Sequence, residues 1–250
     1  MNSLANIHAV FKRESLSYFT SPVAYVIVVI FLLAAQGFAF LFGQFLESDN
    51  ASLTNTFFFW HPWIYMVLAP AVGMRLWSEE HRLGTVELLL TMPVAPWHAI
   101  IGKYLAACWV WLIALALTFP IVWTLFYLGE PDPGPIWSGY VASYLYAISC
   151  LAITVAVSAF TRSQVVCFII AVALCLAGTL LGFPAITETM AKLFPETMSW
   201  MVSLIAYCSL MTHFMEMSKG ILVLRDVLYF ASVIILALCV TATAIQIKRA

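Results

Sequence analysis

Few residues in this chain are able to do chemistry, and most of them lie between long apolar runs. Charged residues make up 9% of the 250 and hydrophobic residues 64%, whereas soluble domains carry about 25% charged residues. The most polar stretch is 75–98, where carboxylates and cations precede a Gly-Thr pair and a run of leucines. An apolar helix face flanked by charges can bind the groove of a protein partner. This stretch is therefore the first candidate site.

Gly84-Thr85 predicts a break between two helices in that stretch. Thr85 is a suitable N-cap for the second helix, and Glu87 falls in its first turn, where a carboxylate favours the helix dipole. The alternative is an interfacial helix resting on lipid headgroups, and the residues alone support both readings equally. If a partner docks here, we expect a docking helix over residues 80–90 and contacts from Glu79, Glu80, Arg82, Gly84, Thr85, Glu87, Leu88 and Leu89.

A second chemical pattern is the alternation of soft metal ligands at Met211, His213, Met215 and Met217. Methionine and histidine suit Cu(I), and on an extended strand all four side chains would face one way. On a helix they split between faces. Methionine as flexible apolar filler is the commoner case, so these four are candidates only and no metal is predicted.

The sequence lacks the motifs that would let the chain power or catalyse a reaction itself. It has no G-x-x-x-x-G-K-[ST] phosphate loop, no G-x-S-x-G and no H-E-x-x-H. Ion-coupled carriers usually place ionisable residues inside the membrane, but no acidic or basic residue lies near the centre of a long apolar run here. Lys103 is close enough to a helix end to snorkel to the interface. Any energy must therefore come from a partner.

The apolar runs predict an all-α membrane protein forming one domain over residues 1–250. Residues 3–20 have the pattern of an amphipathic helix at the cytoplasmic interface, in contact with membrane lipids. Residues 183–222 suit an outer or re-entrant helical hairpin, since their apolar patch is too short for a comfortable crossing. Six runs are long enough to span: about 22–45, 57–74, 100–128, 137–160, 165–182 and 227–247, with the polar loop 75–98 after the second.

The distribution of Lys and Arg predicts that both termini are cytoplasmic. With six crossings, the cytoplasmic segments hold Lys12, Arg13, Arg75, Arg82, Lys103, Arg162, Lys248 and Arg249. The outer segments hold Lys192, Lys219 and Arg225.

Two sets of residues resemble known permeases. Glu80, Gly84, Thr85, Glu87, Leu88, Leu89, Pro93 and Val94, followed by Gly102-Lys103, resemble the cytoplasmic loop of ABC-2-type permeases. A second set resembles the gliding-motility-type subfamily of these permeases: His61-Pro62-Trp63, Pro70, Met74-Arg75-Leu76-Trp77, His213 to Glu216, Lys219-Gly220 and the run Leu224 to Phe230.

The resemblance implies a fold like that of type V ABC exporters: six transmembrane helices, an N-terminal interfacial helix, a coupling helix after the second span and an outer hairpin before the sixth. It implies a second permease copy and two ABC ATPase subunits, which would hold the ATP and Mg while this chain binds no cofactor. An auxiliary membrane protein with a large external domain occurs in part of that family. It also implies a bacterial inner membrane and no nucleic-acid partner.

Gly178 and Gly182 form a G-x-x-x-G, which lets two helix backbones approach closely. We expect it either at the interface of a permease dimer or in packing within one subunit.

Two classes of function follow from these observations. One is the permease of an ABC exporter or of a force-transmitting ABC complex, for which a copper-related maturation permease is a variant. The other is a membrane scaffold that transports nothing and has no need of an ATPase socket.

Overall fold

The computed structural model describes residues 3–43, 52–85, 95–193, 200, 204 and 206–247, and its regular elements there are helices. In chain order they are α1 (Ser3–Thr20), α2 (Pro22–Leu41), α3 (Leu53–Thr56), a 3-10 turn (Phe58–Trp60), α4 (His61–Gly73), α5 (Arg75–Leu83), α6 (Pro96–Ala116), α7 (Pro120–Leu128), α8 (Pro133–Phe160), α9 (Gln164–Leu180), α10 (Pro184–Leu193), α11 (Leu210–Met217) and α12 (Leu224–Ile247).

Local sequence signals set several helix starts. Ser21 caps α2, and its hydroxyl accepts from the Val23 amide. Asp132 caps α8 in the same way, accepting from Gly134 at 3.0 Å, with Pro133 in the first turn. Ser163 caps α9. Each cap satisfies a backbone N–H group that the first helical turn leaves free.

Five helical segments are long and apolar enough to cross a membrane: Pro22–Leu41, Leu53–Leu83, Pro96–Leu128, Pro133–Phe160 and Leu224–Ile247. They overlap five of the six predicted spans, and the second of them runs beyond the predicted 57–74. The remaining predicted span, 165–182, corresponds to α9, a shorter apolar helix of 17 residues. The predicted 100–128 span is broken between α6 and α7, where Pro120 starts a new helix and the Thr118 hydroxyl donates to the Leu115 carbonyl.

Helix α8 lies at the centre of the bundle and packs against α4, α6, α9, α11 and α12. Its buried positions are mostly small residues, such as Ala142, Cys150 and Ala152, which allow neighbouring helices to come close. Gly139 touches the Phe58 ring so closely that a methyl group there would overlap it. The bundle core is thus built around α8, whose small side chains let the neighbouring helices approach closely.

Helix α1 packs lengthwise along α6. At their closest approach, a β-carbon added to Gly102 would lie 2.8 Å from Val10. At the N-terminal ends, the Ser3 hydroxyl lies 2.8 Å from His98 Nε2. The predicted amphipathic helix is therefore confirmed as a helix, and it is joined to the bundle by direct contacts.

Candidate coupling site

Three helices meet at one buried cation, Lys103. Helix α5 continues the second apolar segment and carries Glu80, α6 carries Lys103, and α1 carries Glu14. The Lys103 ammonium lies 2.8 Å from Glu80 Oε1 and 3.1 Å from Glu14 Oε1. We call Glu14, Glu80 and Lys103 the lysine hub.

The hub is closed to solvent on the side of the lysine. Lys103 is 3% exposed, and its ammonium lies 5.5 Å from the centre of the Trp77 ring, within range of a cation–π interaction. The Lys103 ammonium therefore reaches protein carboxylates and not solvent, and its depth relative to the membrane interface stays a prediction. The two carboxylates hold the ammonium inside the fold, because a buried charge needs such partners.

The hub favours the ionised form of the Glu14 carboxyl. Burial by itself would raise its pKa, but Lys103 and Arg13 outweigh burial, so the pKa of Glu14 lies below its ordinary value of 4.5. Arg13 lies 2.8 Å from the same oxygen and is exposed. At neutral pH the Glu14 carboxyl is therefore ionised, with Arg13 at the rim and Lys103 inside the fold as its two partners.

A cavity of about 160 Å³ adjoins the hub, and acidic, basic and hydroxyl groups surround it. Arg75 and Glu79 of α5 face it, together with Ser17 and Tyr18 of α1. The Tyr18 hydroxyl donates to the Val72 carbonyl at 3.4 Å, which joins α1 to the end of α4. Helix α1 therefore contacts the second apolar segment directly at Tyr18, and Glu14 is joined to it through Lys103.

Beyond the hub, α5 ends where the sequence predicts the break. Gly84 adopts φ +71°, a left-handed conformation that favours glycine, and its N–H donates to the Glu80 carbonyl. The Thr85 hydroxyl donates to the same carbonyl at 3.4 Å. Gly84 and Thr85 are exposed, so this end of α5 lies at the surface of the described bundle.

The break divides the residues predicted for docking into two groups. Glu79, Glu80 and Arg82 belong to α5, before Gly84, so the helix predicted over 80–90 is interrupted. Arg82 lies 3.6 Å from Glu79 on the exposed side of α5, whereas Glu80 points to Lys103. Glu87, Leu88 and Leu89 lie outside the described residues.

One ammonium joins three helices at this site, because Glu80 of α5 and Glu14 of α1 both bind Lys103 of α6. Breaking these ion pairs would leave poorly solvated charges, so they disfavour separation of the three helices.

The predicted G-x-x-x-G lies at the end of α9, with Gly178 in the helix and Gly182 two residues beyond it, and it faces the start of α11 in the same chain. The Gly182 backbone contacts the Ser209 and Thr212 side chains so closely that a methyl group there would overlap them, and Gly178 lies against Leu210. The Ser209 hydroxyl donates to the Gly178 carbonyl at 2.9 Å. These are the contacts of packing within one subunit. A dimer interface at these glycines stays a prediction.

The four soft ligands are distributed around helix α11, so they do not form the single row of an extended strand. Met211 and Met217 are fully buried. His213 Nδ1 lies 2.8 Å from Asp226 Oδ1 and its Nε2 lies 2.9 Å from the Tyr207 carbonyl, so oxygen acceptors already engage both ring nitrogens. Tyr229 stacks on the ring at 3.9 Å between centroids. In this arrangement His213 is a structural residue, held by its two polar contacts and by stacking on Tyr229.

The sequence interpretation missed the roles of Glu14 and Lys103. A signal was present, since a lysine a few residues inside a long apolar helix requires carboxylate partners. The nearest acidic residues in amphipathic segments were Glu14 and the pair Glu79 and Glu80.

Comparison with known protein families gives a match over most of the chain. The model of the family described as ABC-2 family transporter protein matches residues 62–247, about three quarters of the chain. The match includes α5 and α6 with Glu80 and Lys103, and most of the helical bundle. A search of curated proteins found no significant match.

Proposed function

We propose that this protein, which belongs to the ABC-2 transporter family and is thus a membrane permease component of an ABC transporter, is driven by a separate ATPase that docks on the loop following Gly84. Two ATPase subunits would bind ATP and Mg, and a second permease copy would complete the complex. The resemblance to the gliding-motility-type subfamily supports an assembly that either exports a substrate or transmits force, with an auxiliary external protein in some complexes.

The observation that carries this proposal is the lysine hub. A docked ATPase can move the membrane helices only through a rigid element that it contacts. Helix α5 is such an element, since its last turn ends in the exposed Gly84 and Thr85 while Glu80 binds Lys103 at 2.8 Å. A change in the ATPase would then bias the permease through contacts that differ between its ATP-bound and ATP-free states.

The proposed topology has six crossings, with α9 as the fifth, both termini in the cytoplasm and the region 183–222 outside or re-entrant. It rests on the distribution of Lys and Arg. With 17 residues, α9 is about 26 Å long at about 1.5 Å per residue, close to the roughly 30 Å hydrocarbon thickness. We place the protein in a bacterial inner membrane.

A non-transporting scaffold is the second candidate. A scaffold needs no rigid connection between its cytoplasmic loop and its membrane helices, whereas the lysine hub would provide such a connection. The copper-related variant has less support, because protein oxygens already engage both nitrogens of His213.

Docking can be tested with a matched pair of glycine variants. A β-carbon added to Gly84 or to Gly37 meets nothing within 4 Å, but only Gly84 has a positive φ. Gly84→Val should therefore redirect the loop, whereas Gly37→Val changes only the surface of α2. Glu87→Lys places a cation at the predicted helix start, where the dipole disfavours it.

We expect Gly84→Val and Glu87→Lys to insert normally and to lose the co-purifying ATPase or its coupled ATP hydrolysis. Gly37→Val should retain both. Full coupled activity in Gly84→Val and Glu87→Lys would refute docking at this loop. If even the wild-type protein co-purifies with no ATPase and still anchors other proteins in the membrane, the scaffold is favoured.

A further inference from the structure

A second cluster of charged groups lies away from the lysine hub, where α11 meets the first turn of α12. His213 of α11 is 3% exposed and Asp226 of α12 is fully buried. The His213 Nδ1 lies 2.8 Å from Asp226 Oδ1, and on the other side of the ring Nε2 lies 2.9 Å from the Tyr207 carbonyl oxygen. We call His213, Asp226 and the Tyr207 carbonyl the histidine clasp.

Both nitrogens of the His213 ring face oxygen atoms that accept hydrogen bonds. A backbone carbonyl can only accept, so Nε2 has to carry a hydrogen to bond the Tyr207 oxygen. A carboxylate also only accepts, so Nδ1 has to carry a second hydrogen to bond Asp226. A neutral imidazole has one N–H group and would leave one of these two contacts without a hydrogen. The geometry therefore requires one proton more than a neutral histidine and a carboxylate hold together.

The surroundings favour the ring, and not Asp226, as the carrier of that proton. The Arg225 Nε–H donates to the same Asp226 oxygen at 3.2 Å, so this oxygen already acts as an acceptor. Asp226 also lies in the first turn of α12, where the helix dipole favours a carboxylate. Its second oxygen is buried and has no hydrogen-bond partner among the described residues, so the carboxylate depends on the N–H groups of His213 and Arg225.

The charges around the clasp balance if the ring is an imidazolium. Glu216 of α11 pairs with Arg225 of α12, and Asp226 pairs with both His213 and Arg225. Two positive and two negative groups are then in contact. With a neutral ring, one carboxylate would lack a counter-ion, and burial of an unpaired charge is costly. Lys219, the next charge along the chain, is exposed.

The other titratable neighbours of the clasp are phenols and thiols. Tyr229 of α12 stacks on the ring at 3.9 Å between centroids, and its hydroxyl donates to the Cys208 carbonyl at 2.6 Å. The Arg225 guanidinium lies 5.8 Å from the centre of the Tyr207 ring. From α8, Tyr146 contacts phenylalanine rings of α11 and α12, and the thiols of α9 contact backbone oxygens of α8. The charge of the clasp is therefore set by the four groups in direct contact.

We propose that His213 is an imidazolium at neutral pH and that its second proton fastens α11 to the first turn of α12, so that loss of this proton at alkaline pH opens one side of the clasp. The neutral ring can keep the contact with Asp226 or the contact with Tyr207, but not both. In the proposed topology this region lies on the outer side of the membrane, so the clasp responds to the pH outside. The proposal does not depend on ATPase docking.

Nitrogen NMR of the full chain in lipid bilayers, with isotopically labelled histidine, tests the protonation of the ring directly. At about pH 8, a histidine with the ordinary pKa of about 6.5 is almost entirely neutral. We expect one ring that carries hydrogen on both nitrogens at this pH. Its signal should be absent from His213→Gln and present in the control His8→Gln, whose ring is exposed on α1. If His213→Gln does not fold, proximity of the ring to labelled Tyr229 assigns the signal.

Two further variants separate the proton from the packing. Asp226→Asn keeps the shape and removes the carboxylate, so the doubly protonated signal should be lost at about pH 8. Arg225→Gln removes a competing cation whose side chain is 53% exposed, and it should keep that signal. The difference in apparent Tm between the wild type and His213→Gln should shrink as the pH rises and the signal disappears, because a proton held more tightly by the folded chain stabilises it only while it is bound.

The proposal is overturned if every histidine of the wild type is neutral at about pH 8, if the doubly protonated signal persists in His213→Gln, or if Asp226→Asn keeps it unchanged. A Tm difference that stays constant while the signal disappears would overturn the role of the proton in fastening the two helices.

Discussion

Removing the hub cation should destabilise the protein more than any exposed lysine does. In Lys103→Met, the Glu14 and Glu80 side chains keep only 15% and 18% exposure and lose their shared counter-ion. Breaking a buried pair by removing one partner costs about 3–5 kcal/mol. Because the adjoining cavity brings polar groups to the carboxylates, we expect the lower end, about 3 kcal/mol.

The assay is thermal unfolding of the purified protein in detergent. For a chain of this size, about 3 kcal/mol corresponds to a fall in apparent Tm of roughly 6 to 12 °C. The control is Lys192→Met on α10, where the lysine is exposed, and its Tm should match that of the wild type. Removing all three charges, in Lys103→Met with Glu14→Gln and Glu80→Gln, should recover most of the loss, since no unpaired charge remains.

Two results would refute this reasoning. If Lys103→Met unfolds at the same temperature as Lys192→Met, the ion pairs contribute nothing to stability. If the variant without charges is as unstable as Lys103→Met alone, the loss comes from packing around the aliphatic stem of Lys103 and not from unpaired carboxylates.

Three further predictions concern pH, helix packing and topology. Because the pKa of Glu14 is lowered in the folded state, its stabilisation is complete above about pH 4.5 and is lost as the pH falls through the folded-state pKa; apparent Tm should fall less on acidification in Glu14→Gln than in the wild type, and equal slopes would contradict this. Gly182→Ala should cost about 1–3 kcal/mol by overpacking, whereas Gly178→Ala should be nearly neutral; loss of dimer without loss of Tm would instead place both glycines at a subunit interface. With exposed Cys208 and Cys239 replaced by Ser, a cysteine at position 190 should react with an impermeant reagent in sealed spheroplasts and one at 249 should not; the reverse pattern would invert the topology.

A short-range signal in the sequence predicted one helix boundary. Gly84 marks the end of α5, because a left-handed residue acts on its immediate neighbours, whereas the helix starts capped by Asp132 and Ser163 were not predicted. Long apolar runs predicted the five helical segments that are apolar enough to span a membrane. The break before Pro120 was missed because the sequence stays apolar across it. Hydrophobicity predicts which residues lie in the membrane, but it does not show where the helical backbone is interrupted.

The candidate site was predicted only in part. The stretch after the second span was identified from its polarity, but the partners of Lys103 were not, because Glu14 is 89 residues away in sequence. The same limit applies to Gly182, whose contacts with Ser209 and Thr212 join the turn after α9 to the start of α11. Pairings of this kind depend on which helices become neighbours, and the bundle around α8 determines that.

The most direct test of the central claim is site-specific cross-linking from Thr85, the exposed residue that follows the Gly84 break. A photo-reactive group attached to Thr85→Cys in native membranes should capture a protein that carries a nucleotide-binding phosphate loop, and the yield should change when ATP is added, since docking contacts differ between nucleotide states. Cross-linking to lipid alone, or to the same protein at a yield that ATP does not alter, would contradict an ATPase acting through α5 and the lysine hub.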